Sequence, residues 1–177
     1  VTDHVIWVGA NDRRLNLFEN LFPIPRGVSY NAYLIKDEKN ALMDTVDASA
    51  SEQFIENVAY ALNGGKLDYL VVQHMEPDHS ASIPAFLKKY PKVTVVSTAK
   101  GFQFMEQFFP EFFAGQGLPA EQRIVAANDG VLELGQHSLH FVYAPMVHWP
   151  EVMMTYEATE KILFAADGFG KFGALDV

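Results

Sequence analysis

Hydrophobic positions along the chain follow two rhythms, and the change between them predicts the elements. VIWVGA (5–10) reads as a strand, and SYNAYLI (29–35) and NALMDTV (40–46) are β-rich runs flanking the polar stretch KDEKN, which predicts a hairpin. The spacing then becomes helical, with Phe54, Ile55, Val58, Ala59 and Leu62 recurring on one face. Ser49 stands three residues before Glu52, a capping-box spacing that would start this helix, and Gly64 and Gly65 would stop it.

Further on, YLVVQ (69–73) and VTVVS (93–97) are short, apolar and β-branched, as strands covered on both faces should be. Between them lies a polar loop and a helix through Leu87, with Ser80 or Ser82 as its expected cap. A Phe-rich helix is expected from Lys100 to Phe109. The remainder turns to short strands: RIVAA (123–127), GVLEL (130–134), SLHFVYA (138–144), VMMTYE (152–157) and KILFAAD (161–167). Strand–helix alternation followed by a strand-rich stretch predicts an α/β protein with layered sheets and helices outside.

The chain's 177 residues fit one domain at roughly 150 residues per domain. No repeat, low-complexity stretch or linker divides it. No run of apolar residues is long enough for a membrane span, and the first residues lack the basic and apolar regions of a signal peptide. The chain starts without Met and ends in KFGALDV, so the expectation is a processed or incomplete representation of a longer protein. The formal net charge is -9, and adjacent cations occur only at 13–14 and 88–89, which argues against nucleic-acid binding. There is no cysteine, so disulfides and thiolate metal sites are excluded within the chain, and any metal must rest on His and carboxylate. A cytoplasmic location fits this composition.

The segment QHMEPDHS (73–80) places His74, Glu76, Asp78 and His79 within six residues, directly after a buried strand. Glu76 and Asp78 repel one another unless a cation lies between them. Pro77 favours extended backbone at Glu76 and is expected to block a helix through the loop. His148 follows another apolar run, in APMVHWPE, and Asp167 a third, in LFAADGFG. Taken singly, Asp167 reads as a turn residue and His148 as a packed one beside Trp149. Taken together, three strand ends each present metal-competent side chains, and one site is the simpler account.

The pattern H-x-E-x-D-H, then HWPE, then DGFG resembles the flavodiiron proteins, also called rubredoxin:oxygen oxidoreductases. The likeness runs through essentially the whole chain. Hydrolytic metallo-β-lactamases carry His where this chain has Glu76. The resemblance implies a metallo-β-lactamase-like αββα sandwich, followed in the family by a flavodoxin-like domain that binds FMN. It implies that His74, Glu76 and His148 hold one iron, that Asp78 and His79 lie at the second, and that Asp167 bridges the pair. Catalytic residues beyond these ligands are not implied. Mixed imidazole and carboxylate donors also suit iron or manganese better than a nitrogen-rich zinc site.

The implied activity is reduction of O2 or NO at two ferrous ions, with four or two electrons arriving through FMN. Rubredoxin as donor and a head-to-tail homodimer follow from the same resemblance. Two departures stand out. The family's last ligand is a His well beyond Asp167, and none follows Asp167 here; the flavodoxin-like domain and any glycine-rich phosphate loop are absent from these residues. Beside the redox reading stand a metal-dependent hydrolase, which Glu76 argues against, and a non-catalytic truncated module.

Overall fold

The computed structural model describes residues 1–114 and 117–174. The chain begins with β1 (Val5–Trp7), β2 (Ala10–Asp12), β3 (Leu17–Phe18), β4 (Phe22–Pro23), β5 (Val28–Tyr30), β6 (Tyr33–Ile35) and β7 (Ala41–Met43). Then come helix α1 (Ser51–Leu62), β8 (Tyr69–Val71), α2 (Pro77–Ser80), α3 (Ile83–Lys89), β9 (Thr94–Ser97), α4 (Ala99–Phe108) and α5 (Pro110–Phe113). The last strands are β10 (Arg123–Val125), β11 (Val131–Glu133), β12 (Ser138–Tyr143), β13 (Met153–Glu157) and β14 (Ile162–Phe164).

Two sheets dominate. The first has the order β1-β6-β7-β8-β9-β10, antiparallel from β1 to β7 and parallel from β7 to β10. The second is an antiparallel meander, β11-β12-β13-β14. Strand periodicity sends alternate side chains to opposite faces. Leu34, Leu42, Leu70 and Val95 pack among the helices with Phe54, Val58, Phe86 and Met105. Ile35, Met43, Val71 and Val96 point the other way and meet Leu139, Phe141, Met153 and Phe164 of the second sheet. Both faces of the first sheet are thus buried, which explains why its strands read as continuous apolar runs. Each large apolar side chain so buried stabilises the fold by about 1.5–3 kcal/mol before entropy is counted.

Among the described residues, every helix residue of the core packs with the first sheet's outer face. The outward row Val131, Tyr156 and Leu163 of the second sheet remains exposed. The described residues therefore stack in three layers: helices, sheet, sheet.

Several local expectations are corrected. VIWVGA is two strands, interrupted at Val8 and Gly9, where the backbone passes so close to the Tyr30 carbonyl that any Cβ at position 9 would collide with it. β2 then pairs with β5 in a separate ribbon, and SYNAYLI likewise splits into β5 and β6. The β6–β7 hairpin forms as expected, with Ile35 opposite Ala41. The capping box does not form: Asp47 accepts from Ser49 N–H ahead of a single 3-10 turn, and α1 begins at Ser51 without a side-chain cap. Asn63, not a glycine, takes the left-handed position that ends α1 (φ 47°), and Gly64 follows at φ 80°. Neither Ser80 nor Ser82 caps α3, since their hydroxyls donate to the carbonyls of Met75 and Asp47. RIVAA supplies β10, which lies parallel to β9 as the edge of the first sheet. Pro77 does not block a helix but starts one: Glu76 stays extended (ψ 145°) and Pro77 occupies the first position of α2, where no N–H is needed.

Candidate metal centre

His74 leaves the end of β8, Asp78 and His79 ride on α2, His148 lies in the β12–β13 connection, and Asp167 follows β14. A backbone bond from Met153 N to the Gln73 carbonyl (3.1 Å) ties the two sheets together beside these loops. All six residues singled out from the sequence meet at this edge, in two donor sets.

The first set is His74, Glu76, His148 and Asp167. Its centre is marked by His148 Nε2, which lies 2.8 Å from Glu76 Oε2, 3.1 Å from Asp167 Oδ2 and 3.3 Å from His74 Nε2. The second set is Asp78, His79 and Asp167. Here His79 Nε2 sits 2.8 Å from Asp167 Oδ1 and 3.6 Å from Asp78 Oδ2. Asp167 thus belongs to both sets, with one carboxylate oxygen turned to each. His74, Glu76 and His79 are buried, Asp167 is partly buried, and His148 is open to solvent. Trp149 covers the inner side, its ring edge-on to His74 at 5.2 Å.

The set is built for positive charge. Without a metal, protons must supply it. Burial opposes a charge on His74, yet its bonds to Asp167, Glu151 and Glu76 push its pKa up to about 10. His79, also buried, is likewise held well above its ordinary value by Asp167 and Asp44. Burial alone would raise Asp167, but the two imidazoles hold it far below the usual carboxylate range. Asp78, partly buried and facing Asp167 and Glu76, is pushed up to about 6. Its buried Oδ1 has no hydrogen-bond partner among the described residues. Three carboxylates, three imidazoles and one unpartnered buried oxygen fit a pair of hard or borderline cations.

Two positioning residues escaped the sequence reading. Glu151 Oε1 takes His74 Nδ1 at 2.7 Å and Met75 N–H at 2.9 Å. Asp44 lies 3.4 Å from His79 Nδ1 through Oδ2, and its carboxylate accepts Gln73 N–H and the Gln73 side-chain amide. Carboxylates that fix the far nitrogen of an imidazole direct its other nitrogen toward a metal. Asp44 (φ 56°), Met146 (φ 65°) and Ala166 (φ 48°) all hold left-handed backbone near these residues. Such conformations cost of order 1 kcal/mol or more each and gather at functional sites. The available signals were an acid closing an apolar β-run, at Asp44, and one following Trp-Pro, at Glu151.

A cavity of about 390 Å³ opens onto both donor sets, lined by Phe18, Phe22, Val28 and Phe172 beside Glu76, Asp78, His79, His148 and Asp167.

The layered sheets and ligand-bearing loops at one edge define a metallo-β-lactamase-like domain. Within that class, the chain belongs to the family described as "ODP family beta lactamase", whose model matches residues 28–176. A nitric oxide reductase of Moorella thermoacetica is 38% identical over 100% of this chain, which covers 43% of that protein. The anaerobic nitric oxide reductase flavorubredoxin of Aliivibrio fischeri is 36% identical over 97% of the chain, which covers 34% of it. Among solved structures, the rubredoxin oxygen:oxidoreductase from Desulfovibrio gigas has a TM-score of 0.91 at 32% identity, covering 99% of this chain and 42% of its own. The flavodiiron protein from Giardia intestinalis has a TM-score of 0.88 at 28% identity, covering 99% and 41%. The flavodiiron resemblance and the fold expected from it are borne out. The chain spans less than half the length of these relatives.

Proposed function

We propose that residues 1–177 are the diiron domain of a flavodiiron-type oxidoreductase that reduces O2, NO or both. The observation carrying this reading is the division of Asp167 between two donor sets, Oδ2 facing one and Oδ1 the other. A carboxylate can serve two cations at once, whereas each imidazole offers a metal one nitrogen. His74, Glu76 and His148 would hold one iron, Asp78 and His79 the other, and Asp167 both. When bound, the pair supplies the redox chemistry on the diatomic substrate.

The chain's own residues prepare that chemistry. Glu151 keeps the His74 proton on Nδ1, leaving Nε2 free to ligate, and Asp44 does the same for His79. Phe18, Phe22 and Phe172 make the cavity largely apolar, which suits a small uncharged molecule and disfavours bulk water. Among the described residues, the second donor set has three members where the first has four. A seventh ligand, a His from chain beyond these residues, would even the two. FMN from a flavodoxin-like domain, rubredoxin as donor and a head-to-tail homodimer complete the reading, carried by the names of the relatives and the motif resemblance. A cytoplasmic setting accords with it.

The test is anaerobic loading of the full-length protein with iron, followed by elemental analysis and measurement of O2 and NO consumption with reduced rubredoxin. The expected result is two irons per chain and turnover of at least one gas. Zinc alone after iron-supplemented anaerobic growth, with ester hydrolysis and no gas consumption, would contradict it and favour the hydrolase.

A further inference from the structure

A second cluster of metal-competent side chains lies at the opposite end of the sandwich. β8, β12 and β14 run toward the centre described above, and the turns at their other ends carry different residues. His4 precedes β1, His137 lies in the β11–β12 turn, and Glu160 lies in the β13–β14 turn. Each offers a donor atom, and the three donors lie within 4.8 Å of one another. Glu160 Oε1 is 3.0 Å from His4 Nδ1 and 3.8 Å from His137 Nε2. Donors bound to one tetrahedral ion at zinc–nitrogen and zinc–oxygen distances stand about 3.3 Å apart, so only a small adjustment separates this cluster from a binding geometry.

His137 is the telling residue. It is only 2% exposed, yet its Nε2 has no hydrogen-bond partner among the described residues. Leaving a buried ring nitrogen unmatched costs about 1–3 kcal/mol. Its other nitrogen is fixed: Asp37 Oδ2 receives both Nδ1 at 2.9 Å and the His137 backbone N–H at 2.7 Å. This is the carboxylate–imidazole arrangement that turns the free nitrogen toward a metal. Glu160 is held as firmly. The buried Glu157 accepts the N–H groups of Thr159 and Glu160 (2.8 and 2.7 Å), and Thr2 Oγ1 donates to Glu160 Oε2 at 2.5 Å. The same Thr2 oxygen accepts the Val5 N–H at 2.9 Å and so fixes the segment bearing His4.

We propose that His4 Nδ1, His137 Nε2 and Glu160 Oε1 form a third metal site, for a single divalent ion of the zinc class. Two imidazoles and one carboxylate with a fourth position open to water are a zinc ligand set. The ion would clamp the amino-terminal segment, and with it edge strand β1 of the first sheet, onto two turns of the second sheet. Its part is structural, and it is independent of the redox reading.

The experiment loads the full-length protein with iron anaerobically, dialyses it against micromolar zinc sulfate and counts total metal per chain. His4→Ala and Glu160→Gln are compared with the parent. The His4 side chain is half exposed, and a glutamine keeps an oxygen for Thr2, so both variants should fold. Each is expected to hold one metal equivalent fewer than the parent while keeping its iron and its gas-reducing rate. Zinc should raise the melting temperature of the parent and leave the variants unmoved. Equal metal content in the parent and His4→Ala overturns the proposal. So does a parent whose melting temperature zinc does not change.

Discussion

At Asp167 a carboxylate divides its oxygens between two donor sets, whereas at Glu151 one oxygen holds a single imidazole and the Met75 N–H. The same functional group faces two donor sets in one place and a single imidazole in the other, and the surroundings decide which. Glu151 is buried behind His74 and belongs to neither donor set, and its Oε2 has no partner among the described residues. Glu151→Gln keeps the shape but removes the charge that holds a proton on His74 Nδ1. Orienting partners of this kind are worth about 10–100-fold in metal affinity. A competitive chelator titration of the full-length protein should show a weakening of that size with the circular dichroism unchanged; unaltered affinity would remove Glu151 from the site. The candidate ligands are legible because four of them crowd into six residues. Glu151 and Asp44 are not, since each acts through a contact 77 or 35 positions away that no local spacing announces.

Among the elements, helix α4 links the fold to the centre through one side chain. Thr98 caps it, accepting the Gly101 N–H at 2.9 Å, and its hydroxyl donates to the Glu151 carbonyl at 3.0 Å. Thr98→Ala removes both bonds. The cap alone is worth about 1 kcal/mol, and a buried carbonyl left unmatched about 1–3 kcal/mol more. Urea unfolding should show a combined loss in this range for Thr98→Ala and little for Thr98→Ser; equal midpoints for parent and Thr98→Ala would contradict the double role. The strands were readable because buried faces on both sides leave continuous apolar runs, as in YLVV and TVVS. The helix starts were misread because side-chain oxygens have several partners within reach. Ser82 lies where a cap should be, but its hydroxyl bonds the Asp47 carbonyl instead. Pro77 restricts Glu76 to extended backbone, but its own fitness for a first helical position decides the outcome.

Across the whole molecule, two sheets set the ends of β8, β12 and β14 at one edge, and that placement joins motifs separated by up to 93 positions, from His74 to Asp167. The row Val131, Tyr156 and Leu163 on the outer face of the second sheet is exposed. A two-metal site shared through Asp167 is tested by the iron content of the full-length Asp167→Asn protein beside the parent. Asparagine keeps the shape of the side chain and removes its charge and one good ligand oxygen. Both proteins are loaded anaerobically and desalted, and iron is counted per chain, with circular dichroism to establish folding. The parent should hold two irons, and the variant should remain folded while losing at least one of them together with the activity. A variant that keeps two irons and full activity would show Asp167 to be a turn residue and contradict the shared site.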